Sequence, residues 1–165
     1  MLAIQIFSVG GTIDKIYFDA KSEYEIGVPA VEAVLKEMNS NLDVSVVSLM
    51  AKDSLEMTAA DRTLIGQAVL DCDRKHIVIT HGTDTMTETA EYLLTLPELQ
   101  DKTIVLTGAL APAIFKASDA EFNLGGALIA AQTAVSGVYI VMQGEIFAAS
   151  KVKKDRKLNR FIRVS

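Results

Sequence analysis

Leu2 to Val9 is a mostly apolar run that stops at Gly10-Gly11, and it predicts a strand buried on both faces. Pro29 to Met38 carries Val31, Val34, Leu35 and Met38 on one helical stripe, with the proline near its start. Leu42 to Met50 is rich in β-formers and predicts a second strand. Thr58-Ala59-Ala60-Asp61 reads as a capping box with Asp in place of Glu, opening a helix to about Leu70. His76 to Thr80 predicts a third strand, and Met86 to Leu96 a helix that stops at Pro97. Thr103 to Thr107 predicts a fourth strand. Ser118-Asp119-Ala120-Glu121 reads as a second capping box, starting a helix to about Val135, and Val138 to Met142 predicts a fifth strand.

Strands thus alternate with helices, and several strands are apolar on both faces. That pattern predicts an α/β fold of three layers: a doubly wound, mainly parallel sheet, flavodoxin- or Rossmann-like, covered by helices on each side. No repeat or linker divides residues 1–165, so a single domain is expected. In the order 2-1-3-4-5 the strand sequence reverses between strands one and three, and ligands bind at the carboxyl ends there. Two loops therefore matter most, those after Val9 and after Thr80.

Composition narrows the picture. With 165 residues, 50% of them hydrophobic and 22% charged, the chain can bury a sizeable core, which excludes a disordered, collagen-like or coiled-coil chain. Cys72 is alone, so no intramolecular disulfide can form. The first residues lack a signal peptide's basic start and cleavage site, so a cytoplasmic protein is expected. Phe122 to Gly144 has no charge, but Asn123, Gln132, Thr133, Ser136 and Gln143 interrupt it and Gly137 breaks it. A buried helix and strand, not a membrane span, is the expectation. Seven basic residues against one acidic give residues 151–165 a charge of +6, so the overall −5 leaves −11 on the rest. The basic tail is short and nearly without aromatics, which argues against nucleic acid. It suits a segment that returns to its own acidic domain or to a neighbouring subunit.

The first loop is Gly10-Gly11-Thr12-Ile13-Asp14 and the second is His81-Gly82-Thr83-Asp84-Thr85, directly before a helix. Taken singly, the glycines read as an ordinary turn and Thr83, Asp84 or Thr85 as helix caps. Together they set two polar clusters where this fold places ligands. Neither loop has a phosphate-binding glycine pattern, and His81 stands alone as a metal donor. A threonine hydroxyl facing a polar loop suggests acyl transfer, which needs a base and oxyanion donors. Tyr17, Tyr24 and Lys154 are the candidate bases; the tyrosines fall in a long polar stretch that suits a lid.

Gly10-Gly11-Thr12-Ile13 and His81-Gly82-Thr83-Asp84-Thr85 together resemble the two signature motifs of the bacterial-type L-asparaginases. Thr107-Gly108-Ala109 with Pro112, then Ser118-Asp119 and Phe122-Asn123-Leu124, resemble the family's next stretch, and the likeness runs over essentially the whole chain. It implies conversion of L-asparagine, with L-glutamine a second candidate, into the acid and ammonia. Thr12 would be the nucleophile, and Thr83, Asp84 and Lys154 a second polar triad. Tyr24 would be the lid tyrosine, with Tyr17 able to take that role. Gly11, Asp53, Gly82 and Ala109 would line the substrate. No metal or cofactor is implied.

Two departures stand out. Ala51-Lys52 replaces the polar pair usual before the Asp53 position, so Lys52 is expected to supply a charge to the substrate carboxylate. The chain also corresponds to the family's N-terminal catalytic domain, with the C-terminal domain expected to be absent. A homodimer or tetramer, with residues 145–165 near an interface, is expected to complete the site. An amidase subunit of a larger amidotransferase and a non-catalytic amino-acid-binding module are the alternatives.

Overall fold

The first apolar run folds as β1 (Ala3–Gly10) at the centre of the sheet in a computed structural model that describes residues 2–165. Its side chains alternate between two cores. Ile4 and Ile6 meet α1 (Val31–Glu37) and α4 (Ala120–Thr133) on one face. Phe7 and Val9 meet α2 (Ala59–Asp71) and α3 (Met86–Leu94) on the other. The same alternation divides β5 (His76–Thr80) and β6 (Thr103–Thr107) between the two cores, which is why their sequences are continuously apolar.

Beside β4 (Asp43–Lys52) and β7 (Gly137–Met142), these strands form the order β4-β1-β5-β6-β7, with parallel pairing throughout. This is the predicted doubly wound α/β order, and it places the reversal between β1 and β5. The charge-free stretch from Phe122 becomes most of α4 followed by β7. Among the described residues no helix is long and apolar enough to cross a membrane.

Several local expectations are corrected. β8 (Glu145–Ala148) adds a sixth, antiparallel strand beside β7. The polar stretch expected as a lid loop is a hairpin of β2 (Lys15–Phe18) and β3 (Glu23–Ile26). The basic tail holds a second hairpin, β9 (Val152–Asp155) with β10 (Arg160–Arg163). It returns to its own domain, where Val152 and Phe161 enter the α2–α3 core.

The capping box at Thr58 forms in full, with Asp61 N–H on Thr58 Oγ1 at 3.2 Å and Thr58 N–H on Asp61 Oδ2 at 2.8 Å. The one expected at Ser118 does not. Asp119 is the N-cap of α4, and its carboxylate turns away to accept from Leu110 N–H and Ala111 N–H at 3.0 Å and from Asn123 Nδ2 at 2.8 Å. Ser118 Oγ does accept from Ala120 N–H at 3.0 Å, but Ser118 N–H donates to Phe115 O at 3.0 Å, so the reciprocal half of the box has no donor. α3 also ends two residues earlier than predicted, at Leu94, before a 3₁₀ turn from Pro97.

Candidate active site

At the carboxyl end of β1 the backbone turns through Gly10 (φ +102°) and Gly11 (φ +88°), a region side-chain-bearing residues avoid. Gly11 N–H donates to Lys52 O at 2.9 Å. A Cβ on Gly11 would collide with the Gly82 backbone, and one on Gly82 with Ser54. The two loops thus touch glycine to glycine, and Thr12 and Thr83 each follow directly on that contact. Thr12 is half-buried and opens a 3₁₀ turn, Thr12–Asp14.

Below this contact His81 is completely buried. Its Nδ1 donates to Gly82 O at 2.7 Å, because a carbonyl can only accept, and its Nε2 accepts from Thr89 Oγ1 at 2.7 Å. Burial pushes its pKa down to about 4, with the Arg62 charge adding to the shift against the Gly82 bond. His81 is therefore neutral at pH 7 and shapes the loop. Thr85 Oγ1 donates to Ser54 O at 2.8 Å and pins the loop to the turn after β4.

The third component comes from the far end of the chain. Lys154, on β9, donates to Thr83 Oγ1 at 2.8 Å and to Asp84 Oδ1 at 2.7 Å. Its side chain is 8% exposed, whereas that of Asp84 is 37% exposed. A shielded ammonium thus holds a hydroxyl on one side and a solvent-facing carboxylate on the other. The structure brings Thr83, Asp84 and Lys154 together, as the resemblance implied, and not as the solvated lysine a basic tail suggests.

The other expected residues are placed unevenly. Ala109 is buried against Ile13 and Ala120, beside the first loop. Asp53 caps the turn after β4 through Leu55 N–H at 3.0 Å and lies 3.6 Å from Lys15 Nζ. Tyr17 and Tyr24 are cross-strand partners with ring centroids 5.4 Å apart, both largely exposed, and Tyr24 also meets Phe115 edge-on at 5.7 Å. Lys52, expected to supply a charge to the substrate carboxylate, is paired within the chain. Its ammonium sits on Asp61 at 2.8 and 2.9 Å, and this pairing holds the Asp61 pKa down to about 2. Lys52 also serves the first loop, through its carbonyl.

Sequence reasoning missed Asp14, a buried carboxyl in the first motif. It accepts from Ser8 Oγ at 2.9 Å and from Ala30 N–H at 2.8 Å, and burial raises its pKa against both bonds. The only signal was an acid beside an apolar strand, which has to find partners inside. Among the described residues no three His, Cys, Asp or Glu side chains converge as a metal set. A cleft of about 660 Å³ lies elsewhere, between α4 and β8, and contains none of these residues.

A doubly wound sheet with two touching polar loops at its switch point, served by a lysine from a distant hairpin, defines a class of site. Its family follows: residues 3–160 match the description Asparaginase, N-terminal, and the chain belongs to the asparaginase family. It is 35% identical over 162 residues to L-asparaginase 2 of Escherichia coli, covering 92% of this chain and 46% of that protein. It is 31% identical over 153 residues to a glutamyl-tRNA(Gln) amidotransferase component of Methanococcus vannielii, covering 87% of this chain and 34% of that protein. The chain spans less than half the length of these two relatives. Its fold superposes on the thermostable L-asparaginase of Thermococcus kodakarensis with a TM-score of 0.84 at 26% identity, over 98% of this chain and 51% of that one.

Proposed function

We propose that this chain carries the catalytic machinery of an amidohydrolase that converts L-asparagine to L-aspartate and ammonia, with L-glutamine the second candidate substrate. The observation that supports it most is the pair of short bonds from the shielded Lys154 to Thr83 and Asp84, beside the Gly11–Gly82 contact. In this reading Thr12 Oγ attacks the side-chain amide carbon. The hydroxyl proton passes to the leaving nitrogen, ammonia departs, and water cleaves the resulting ester to regenerate Thr12. Lys154 keeps the Thr83 hydroxyl oriented, and Asp84, exposed enough to meet a ligand, grips the substrate's amino group. Gly11 N–H is already committed to Lys52 O, so it shapes the loop and other groups must bind the developing oxyanion. The working unit in this reading is a cytoplasmic homodimer or tetramer, which light scattering at micromolar concentration checks.

Ammonia release from L-asparagine, compared between the native chain and Thr12→Ala, tests the reaction. The native chain releases ammonia and the variant falls to background while calorimetry still detects asparagine. Tight binding with no release by the native chain would make it a binding module and sink the hydrolase reading. The likeness to an amidotransferase component favours one other reading, an amidase that feeds ammonia to a partner. Asparagine turnover that appears only with a partner protein and charged tRNA would select it.

A further inference from the structure

We infer that Asp14 is a positioning residue: its buried carboxylate joins the start of α1 to the central strand and thereby anchors its own backbone, which closes the Thr12 turn and the base of the β2–β3 hairpin. The inference builds on the reading of Thr12 as nucleophile, but its structural part stands on the geometry alone.

Asp14 is 3% exposed, and both of its carboxylate oxygens are engaged. Its Oδ2 accepts from Ser8 on β1, and its Oδ1 from Ala30 N–H at the N-terminus of α1. Its own N–H donates to Gly11 O at 3.1 Å, closing the turn that holds Thr12. Its carbonyl accepts from Gly27 N–H at 2.8 Å. Asp14 directly precedes β2 and Gly27 directly follows β3, so this last bond closes the base of the hairpin. One residue thus makes four polar ties to segments running from Ser8 to Ala30.

The hairpin needs such a tie. It forms its own two-stranded sheet and shares no ladder with the six-stranded one. A two-stranded hairpin alone is marginal in water. Any swing of the hairpin pulls on Asp14, and Asp14 stands two residues from Thr12 in the same 3₁₀ turn. With the carboxylate held by Ser8 and Ala30, the hairpin moves against a fixed base and Thr12 keeps its aim. Without that hold the hairpin's motion reaches the reacting hydroxyl. An apolar side chain would fill this space without desolvating a carboxyl, but could not accept from both partners.

The test compares Asp14→Ala, Asp14→Asn and Ser8→Ala with the native chain by steady-state ammonia release and by amide hydrogen exchange. Asparagine is the informative rescue, since its oxygen can accept from Ala30 N–H while its amide donates to Ser8 Oγ. Asp14→Ala lowers kcat about 10²-fold, the scale of a misaimed reacting group, with KM within about twofold. It speeds exchange at Ala30 and Gly27 while β5 and β6 amides stay protected. Ser8→Ala moves both readouts the same way by less, and Asp14→Asn restores both. Unchanged kcat and unchanged Ala30 exchange in Asp14→Ala overturn the inference, as does Asp14→Asn no better than Asp14→Ala. So does loss of protection that is equal in β5 and β6, which marks a purely global role. Thr12→Ala, run alongside, loses turnover yet keeps Ala30 protected. If the native chain releases no ammonia, the functional reading fails and exchange alone decides the role of Asp14.

Discussion

Two hairpins of the same size flank the candidate site, and they are held in opposite ways. In β9–β10, Val152 and Phe161 are 5% and 3% exposed inside the α2–α3 core, and Lys154 lies between them in sequence. In β2–β3, by contrast, Tyr17 and Tyr24 are each 48% exposed, and Ile16 and Phe18 are exposed as well. The first hairpin draws its stability from the domain, the second from its closing bond and from aromatic edges. The contrast separates two tasks. A charge that must act in one fixed geometry comes from a docked element. The β2–β3 hairpin is held more lightly, by the bond at its base, the Lys15–Asp53 pair and the Tyr24–Phe115 edge, which is the kind of fastening a moving cover needs.

The sharpest way to break the contrast is to remove the cation that the docked hairpin delivers. Lys154→Met keeps the aliphatic stem and leaves Val152 and Phe161 in place, so the hairpin stays docked. Thr83 and Asp84 lose their common partner. Ammonia release is expected to fall about 10²–10⁴-fold, the usual worth of a group that manages protons or charge at a reacting centre. The unfolding midpoint should move little, because Asp84 is open enough to regain water. Steady-state kinetics beside urea denaturation checks both. A variant that keeps native turnover would dissociate Lys154 from the chemistry.

Acid attacks the same side of the comparison from beneath. His81 is neutral in the fold, with a pKa near 4 against an unfolded value near 6.5. Between those values the unfolded chain takes up a proton that the folded chain refuses, so stability falls as pH drops from about 6.5 to 4. The gap corresponds to about 3 kcal/mol. Asp14 works the other way, since its raised pKa makes the folded state the better proton binder in the carboxylate range. Urea unfolding at pH 7 and pH 4.5 measures the sum, and His81→Gln, which cannot titrate, should flatten the slope. An equally steep slope in His81→Gln would place the acid sensitivity elsewhere.

Which of these parts could be read from the chain depends on how local their causes are. The five parallel strands follow from apolar runs that announce themselves within a few residues, and the capping box at Thr58 needs only three positions. The site's location follows from topology once the strand order is known. The hairpins carry no such signal. Lys15–Phe18 and Glu23–Ile26 mix charges with aromatics, and their pairing depends on Asp14 and Gly27 closing the base. Ser118 looks like the start of a capping box by spacing, and its hydroxyl does meet Ala120 N–H, but its own N–H is taken by Phe115 across the loop. Lys52 looks available until Asp61 folds back against it. Lys154 reaches Thr83 across 71 positions, a contact that no spacing rule predicts; only the family resemblance pointed to it.

The smallest effect, and the one that sharpens the comparison most finely, concerns the exposed hairpin. Tyr24→Ala removes its edge-on contacts to Tyr17 and Phe115. Such pairs are worth about 0.5–1.5 kcal/mol each, but here they brace only the hairpin. Exchange at its own amides should therefore rise while the global unfolding free energy stays within about 0.5 kcal/mol of native. Phenylalanine keeps both rings in place, so Tyr24→Phe and Tyr17→Phe leave the hairpin intact and test the hydroxyls alone. If one of the two is a catalytic base, only that substitution lowers kcat, with no change in hairpin exchange. If both leave kcat unchanged while Tyr24→Ala raises KM, the hairpin acts by covering the site and its tyrosines serve as packing. Either result keeps the two hairpins distinct. A fall in global stability from Tyr24→Ala as large as a core truncation, about 3 kcal/mol or more, would erase the distinction and show β2–β3 to be as firmly docked as β9–β10.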